Sequence, residues 1–205
     1  MRARFTTDEI AAAALRIVDE TGVGALSMRT LAAALGTGPM TMYNYVRDKE
    51  GLEELVVAEV EVPEPTTDWL ADVHAVAEAM WRGIRAHPAA VTLVLTRRTT
   101  SGAGFGAADA LVAALDRGGL TDADRLAAFH AVLAFVVGAV QSELAGPLTR
   151  GADAREVAER IGEVAGEEYP NIAALSKVAA RTSVEADFDR GLRMLLDGIA
   201  ARSRR

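Results

Sequence analysis

The chain contains no cysteine, which excludes disulfides and thiolate metal sites and makes a reducing cytoplasm its natural home. Its three histidines, His74, His87 and His130, show no H-x-x-x-H or comparable metal spacing. No nucleophile elbow and no P-loop is present, so no catalytic set, metal or cofactor is expected. No apolar run follows a basic N-terminal segment, so no signal peptide is evident. No stretch reaches the ~18 consecutive apolar residues that a membrane span requires. The most apolar run, Leu126 to Val140, carries His130 and is flanked by polar residues, so no membrane partner is expected. Aromatics are scarce, at 5%, while half of the 205 residues are apolar and alanine is abundant. That balance favours helices over sheets and suffices for a buried core.

The net charge of -7 is unevenly spread. Residues 1–49 hold six basic and five acidic side chains, for +1, and residues 50–205 hold 16 and 24, for -8. Any contact of the first part with nucleic acid must rest on a few well-placed phosphate contacts and on two copies acting together. Met1 to Phe5 is a short arm with Arg2 and Arg4, suited to phosphate but equally to fraying.

The most informative stretch is Ser27–Lys49, SMRTLAAALGTGPMTMYNYVRDK. Leu31, Ala34 and Leu35 follow the helical period, giving a first helix over Met28–Leu35 that Gly36 ends with a positive φ. Pro39 suits the first turn of a second helix, to about Tyr45. Only Met42 and Val46 look inward on it, leaving Met40, Thr41, Tyr43, Asn44 and Tyr45 outward. A short helix after a glycine turn, rich in Thr, Tyr and Asn, fits a recognition helix in the DNA major groove. Before it, Thr6 and Glu9 form a capping box, with Phe5 and Ile10 as the staple, for a helix ended by Gly22. After it, Asp48 caps a connecting helix over residues 49–61.

Residues 7–60 resemble the DNA-binding domain of the tetracycline-repressor (TetR) family. The resemblance lies in IAAAALRIVDETGVGALSMRTLAAALG, then PMTMYNYV, then DKEGLEELV; the ending FDRGLRMLLDGIAAR is similar to that family as well. It implies an all-α fold, with an N-terminal three-helix helix-turn-helix domain followed by a larger helical ligand-binding and dimerisation domain. It implies a homodimeric transcriptional regulator, most simply a repressor released from a palindromic operator in double-stranded DNA by a small apolar effector. Two recognition helices would lie about 34–36 Å apart in successive major grooves. DNA contacts are implied for Arg29, for Thr37, Gly38 and Pro39 at the turn, and for Met40, Thr41, Tyr43, Asn44, Tyr45 and Lys49. Thr41 and Asn44 suit base edges, Met40 a thymine methyl, and Tyr43 and Lys49 phosphates. Gly38 departs from the Ser usual before the family's Pro, losing a side-chain cap. The His, Thr, Gln and Asn set of the tetracycline-binding members has no match here.

The proline-rich joint VPEPTTDW, residues 62–69, divides the chain into 1–62 and 63–205. Asp68 or Thr67 caps a helix to about Ala86. VTLVLT, residues 91–96, is compatible with a strand, and Gly102–Ala107 satisfies G-x-G-x-x-A before a helix-like ADALVAAL. That is the rival reading of a nucleotide-binding enzyme; against it, the motif stands alone and no second strand is found. Thr121 caps a helix to about Ala145, with Leu126, Phe129, Leu133, Val136, Val137 and Val140 on one stripe and Ala127, Ala131, Ala134 and Gly138 on another. A helix apolar on two faces is buried on both. With the last helix, Val184–Ala201, it makes a four-helix interface between two subunits, through Ala134, Gly138, Phe188, Leu192, Leu195 and Ile199; monomer core, or a helical dimer that binds only protein, remain alternatives. Met80, Trp81, Phe105, Phe129, His130, Phe135 and Gln141 are the candidate effector lining, His130 being more ordinarily a satisfied core residue.

Overall fold

The computed structural model describes residues 5–56, 61–91, 93, 105–144 and 154–203. Among these the chain is helical and contains no strand. The first helices are α1 (Thr7–Thr21), α2 (Met28–Ala34), α3 (Pro39–Met42) and α4 (Lys49–Val56). The Thr6–Glu9 capping box closes as the sequence requires: Glu9 Oε2 accepts the Thr6 N–H at 2.8 Å, and Thr6 Oγ1 accepts the Glu9 N–H at 3.2 Å. Ile10, Ala13, Ala14 and Val18 of α1 are buried with Leu26, Leu31, Ala32, Met42, Val46, Leu52 and Val56, so one core underlies all four helices.

The second part begins after the extended joint. Asp68 Oδ1 accepts the Leu70 and Ala71 N–H groups and starts α5 (Trp69–Ala86). A 3-10 turn at Pro88–Ala90 follows. Next come α6 (Phe105–Arg117), α7 (Asp122–Leu144), α8 (Ala154–Ala165), α9 (Pro170–Ala179) and α10 (Val184–Ala200). Of the expected strand, Val91 and Leu93 are helical and the rest lies outside the described residues, as do Gly102–Gly104 of the glycine motif. The nucleotide reading therefore has no sheet to stand on among the described residues. Helix α5 packs on α6 and α7, and α10 packs on α5 and α7 around a second core that includes Val76, Trp81, Leu111, Val132, Val136 and Leu192. Helices α8 and α9 pack chiefly on each other. Their hairpin leaves Val164, Tyr169, Ile172, Leu175 and Val178 exposed.

One expectation about α7 is corrected. Its inward face is Ala128, Val132, Val136 and Val140, at a spacing of four, and Leu126 is exposed. A helix apolar nearly all round gives no dominant periodicity, so its inner face cannot be read from sequence alone. By length and composition α7 also matches a membrane span, with mean hydropathy 1.6, because its alanines and valines add up without forming an unbroken apolar run. Only 28% of that apolar window is buried within the chain.

A polar clasp holds the joint to the second core. Asp72 is buried, and accepts from the Thr66 N–H at 2.9 Å, from Thr66 Oγ1 at 2.7 Å and from Arg117 Nη2 at 2.6 Å. Arg117 also donates to the Thr66 carbonyl at 2.6 Å. Beside it the Trp69 ring lies against Gly118, where a Cβ would come within 2.9 Å of the ring carbons. Burial pushes the Asp72 carboxyl up, but the hydrogen bonds from Thr66 and Arg117 outweigh it and hold the group below its ordinary 3.8. The folded state therefore favours the carboxylate more than the unfolded state does. The clasp stabilises fully above the unfolded value and loses that contribution as pH falls through the lower folded value. Asp72→Asn is expected to unfold at lower denaturant than the parent chain at pH 7. That gap should narrow once the pH drops below about 4, as urea titrations across pH will show. Gly118→Ala is expected to cost about 1–3 kcal/mol in the same titration at pH 7.

Candidate nucleic-acid interface

The hairpin of α2 and α3 is set from the inside. Ser27 caps α2: its Oγ accepts the Thr30 N–H, and Thr30 Oγ1 accepts the Ser27 N–H. At the other end the Thr37 N–H reaches the Ala32 carbonyl at 2.9 Å while Gly36 takes φ 63°, a glycine-terminated helix end. That turn redirects the chain into α3, with Pro39 in its first turn. Met42 is fully buried and Val46 nearly so, as their i, i+4 spacing requires. Helix α3 is shorter than the sequence suggests. It ends at Met42, and the chain tightens through bonds from Asn44 N–H to the Thr41 carbonyl and from Tyr45 N–H to the Met42 carbonyl.

What remains outward is a compact polar and aromatic face. Met40 and Tyr43 are exposed, at 78% and 52%, and Asn44, Gly38, Pro39 and Arg29 are exposed with them. Thr37 and Thr41 are half-buried, Thr37 Oγ1 donating to Thr41 Oγ1 at 3.2 Å, which fixes the Thr41 hydroxyl at the start of the helix. Lys49 sits at the N-terminus of α4 with its ammonium 3.8 Å from Glu53 Oε1, and Asp48 Oδ1 accepts the Gly51 N–H. Arg47, not singled out from the sequence, is exposed between Tyr43 and Lys49. One member of the expected face is corrected. Tyr45 is half-buried, and its hydroxyl accepts the Phe5 backbone N–H at 3.1 Å. The shortening of α3 accounts for this, since a tighter turn rotates the last residue towards the core.

Beneath this face the core is completed from outside the domain. Ala90 and Leu93, which follow α5, are buried in the cluster formed by α1 to α4. Beside them His87 Nδ1 lies 2.8 Å from Asp19 Oδ2 at the end of α1. Nothing in the local sequence marks these residues, because their role depends on partners far away in the chain.

In the helical part, Trp81 is fully buried. It stacks on Phe188 at 4.3 Å between centroids, and Phe135 tilts against Phe188 at 5.3 Å. The Trp81 indole donates to Glu143 Oε1 at 3.0 Å, and Arg85 lies over the Trp81 ring with its Nε 2.8 Å from Glu143 Oε2. Glu185 closes the cluster on Arg85 at 2.6 Å, and the Arg85 guanidinium holds the Glu185 carboxyl below its usual range. Met80 and Phe129 are partly buried against the same core. Of the expected effector lining, Trp81 and Phe135 come together and Met80 and Phe129 adjoin that core. Phe105 is exposed at the start of α6, and His130 and Gln141 point outward on α7, which corrects the reading of His130 as a core residue. The expected dimer residues divide too. Phe188, Leu192 and Ile199 are buried in this chain's own core, whereas Ala134 is exposed and Gly138 and Leu195 are half-covered. Gly191 receives the chain's own Phe135 ring, where a Cβ would meet it at 2.8 Å.

The model for bacterial regulatory proteins of the tetR family matches residues 10–56, and that for the tetracyclin repressor-like C-terminal domain matches residues 62–203. The chain belongs to the TetR family. It is thus a helix-turn-helix, DNA-binding transcriptional regulator, in a family of regulators and not of enzymes. An HTH-type transcriptional regulator of Saccharopolyspora erythraea is 32% identical over 96% of this chain and 85% of its own length. The HTH-type transcriptional repressor DrrR1 of Streptomyces coeruleorubidus is 31% identical over 95% of this chain and 77% of its own. Among solved TetR structures, ActR of Streptomyces coelicolor in complex with actinorhodin superposes with TM-score 0.76 at 28% identity, covering 98% of each chain.

Two outcomes follow from this geometry. Gly38 leaves open space for a Cβ and gives α3 no side-chain cap. Gly38→Ser is therefore expected to raise stability by about a few tenths of a kcal/mol, visible as a small rise in melting temperature. Leu93→Ala is expected to cost about 2–5 kcal/mol and to separate the melting of the two cores in calorimetry.

Proposed function

We propose that the chain acts as a homodimeric repressor that leaves a palindromic operator when a small apolar molecule enters its helical part. The domain formed by residues 1–62 reads DNA, and residues 63–205 bind the effector and the second subunit. The cytoplasm is its place of work. The observation that carries this reading is the α2–α3 hairpin. Its inward side chains are fully used in packing, while Met40, Tyr43 and Asn44 stand in solvent on a rigid base.

Asn44 and Thr41 read base edges, Asn44 suiting adenine, and Met40 suits a thymine methyl. Tyr43, Arg29 and Lys49 hold phosphates and set the register. At the N-terminus of α4 a phosphate meets the Lys49 ammonium and the positive end of the helix dipole together. Effector release requires that the filled state hold the two reading heads at another spacing. An effector shifts that balance only by its difference in affinity for the two states. The Leu93 and Ala90 side chains, seated in the DNA-reading core, give such a shift a mechanical route. A relative solved with actinorhodin supports the ligand-responsive part of this reading. The partner face uses Ala134 and Gly138, whose small side chains admit a neighbouring helix, together with Leu195.

The test is footprinting with a duplex enriched from random-sequence DNA by the protein itself. Two protected half-sites are expected, centred about one helical turn apart. Asn44→Ala should relax base preference, and Lys49→Ala should lower the salt slope by about 0.9 for the phosphate its ammonium neutralises. A single protected site, or protection unaffected by Tyr43→Ala, counts against the proposal.

A further inference from the structure

Two hydroxyls meet inside the α2–α3 hairpin. Thr37 Oγ1 donates to Thr41 Oγ1 at 3.2 Å, and both side chains are half-buried. The Thr37 backbone is held in its turn, its N–H bonded to the Ala32 carbonyl at 2.9 Å beside the left-handed Gly36. Thr37 is thus a fixed donor, and Thr41 is the movable side chain that it orients. A hydroxyl has one proton to give and two lone pairs to fill. At Thr41 one lone pair is taken from within the hairpin, and the proton is left to give outward. Accepting one hydrogen bond also strengthens the one that is given.

The backbone turns Thr41 the right way. Thr41 N–H bonds to the Gly38 carbonyl at 2.9 Å, and Asn44 N–H to the Thr41 carbonyl at 3.2 Å. Bonds of this i to i+3 kind eclipse residues three apart, so Gly38, Thr41 and Asn44 stand in one column. Asn44 is exposed at one end of the column. Gly38, at the other, has no side chain to screen the Thr41 hydroxyl.

We propose that Thr37 is a positioning residue for base recognition, which orients the Thr41 hydroxyl as a donor to a base-edge acceptor without touching DNA itself. This rests on the repressor reading above. The acceptors in the major groove are N7 and O6 of guanine, N7 of adenine and O4 of thymine, whereas cytosine presents its N4 amine. Thr41 therefore favours guanine over cytosine at the base it meets. With Thr37 gone, the Thr41 side chain samples other rotamers and must be ordered at each encounter, which blunts the choice.

The experiment enriches random-sequence DNA separately with the parent chain, Thr37→Val, Thr37→Ser and Thr41→Val. Affinities for single base-pair variants of the parent's duplex are then read by fluorescence anisotropy. Thr41→Val is expected to relax preference at one base pair of each half-site, where the parent prefers guanine to cytosine. Thr37→Val keeps the side-chain shape and removes the donor. It is expected to lower the preference at that same base pair about two- to ten-fold, the worth of one hydrogen bond. The slope of log affinity against log salt should not change, because no phosphate contact is lost. Thr37→Ser keeps the hydroxyl and should keep the preference. Thr37→Val should add nothing in the Thr41→Val background. In free protein, urea titrations of the two Val variants and their combination check the bond, the separate losses summing to more than the joint loss. Additive losses there overturn the proposal. So does an unchanged base preference in Thr37→Val, a loss shared equally by all sequences, or a preference for cytosine at that position. Tyr43→Ala separates the two levels: if it abolishes binding while Thr37→Val leaves every base preference intact, the repressor reading stands and this inference falls. If the parent enriches no sequence with two half-sites, the repressor reading itself falls and takes this inference with it.

Discussion

The burial of Ala90 and Leu93 beneath the helix-turn-helix is the contact on which the rest of the molecule depends. A domain of some fifty residues has little core of its own, and small domains remove proportionately less surface from water. Here the deficit is made up by side chains that belong, in sequence, to the other part. The DNA-reading head is therefore not a free bead on a string. Displacing the segment after α5 must either carry the head along or open its core.

The same logic explains how so short a reading helix persists. Four residues cannot stabilise themselves as a helix, because nucleation fixes several dihedrals for each hydrogen bond gained. Helix α3 is held by tertiary contacts: Met42 driven fully into the core, Val46 below it, the glycine turn before it and the Thr37–Thr41 bond at its start. Fully burying a side chain of that size is worth about 1.5–3 kcal/mol, comparable to a large share of a small domain's net stability. Outward residues are thus relieved of structural duty and remain available for chemistry.

Much of this is legible in the sequence where the determinant is local. The Thr6–Glu9 box, the Asp48 and Asp68 caps and the Gly22 and Gly36 ends involve partners within a few residues, and each stands where its pattern puts it. The inward pair Met42 and Val46 is equally readable from spacing. Local pattern fails where distant partners decide. Spacing turns Tyr45 outward, yet it holds Phe5, forty positions away. Periodicity sends Phe188 to a subunit interface, yet it lies stacked on Trp81. Helix α7 offers two apolar faces, and only packing on α5, α6 and α10 selects Val132 and Val136 over Leu126. The wedge of Leu93 has no local signature at all.

Helix α7 carries one further implication. It has the oiliness of a bilayer-crossing segment, yet only 28% of its apolar window is buried within the chain. In a lone chain Leu126, Ala127 and Ala134 of this helix face solvent. Exposed apolar surface of this kind raises the tendency of a chain to associate while it is alone.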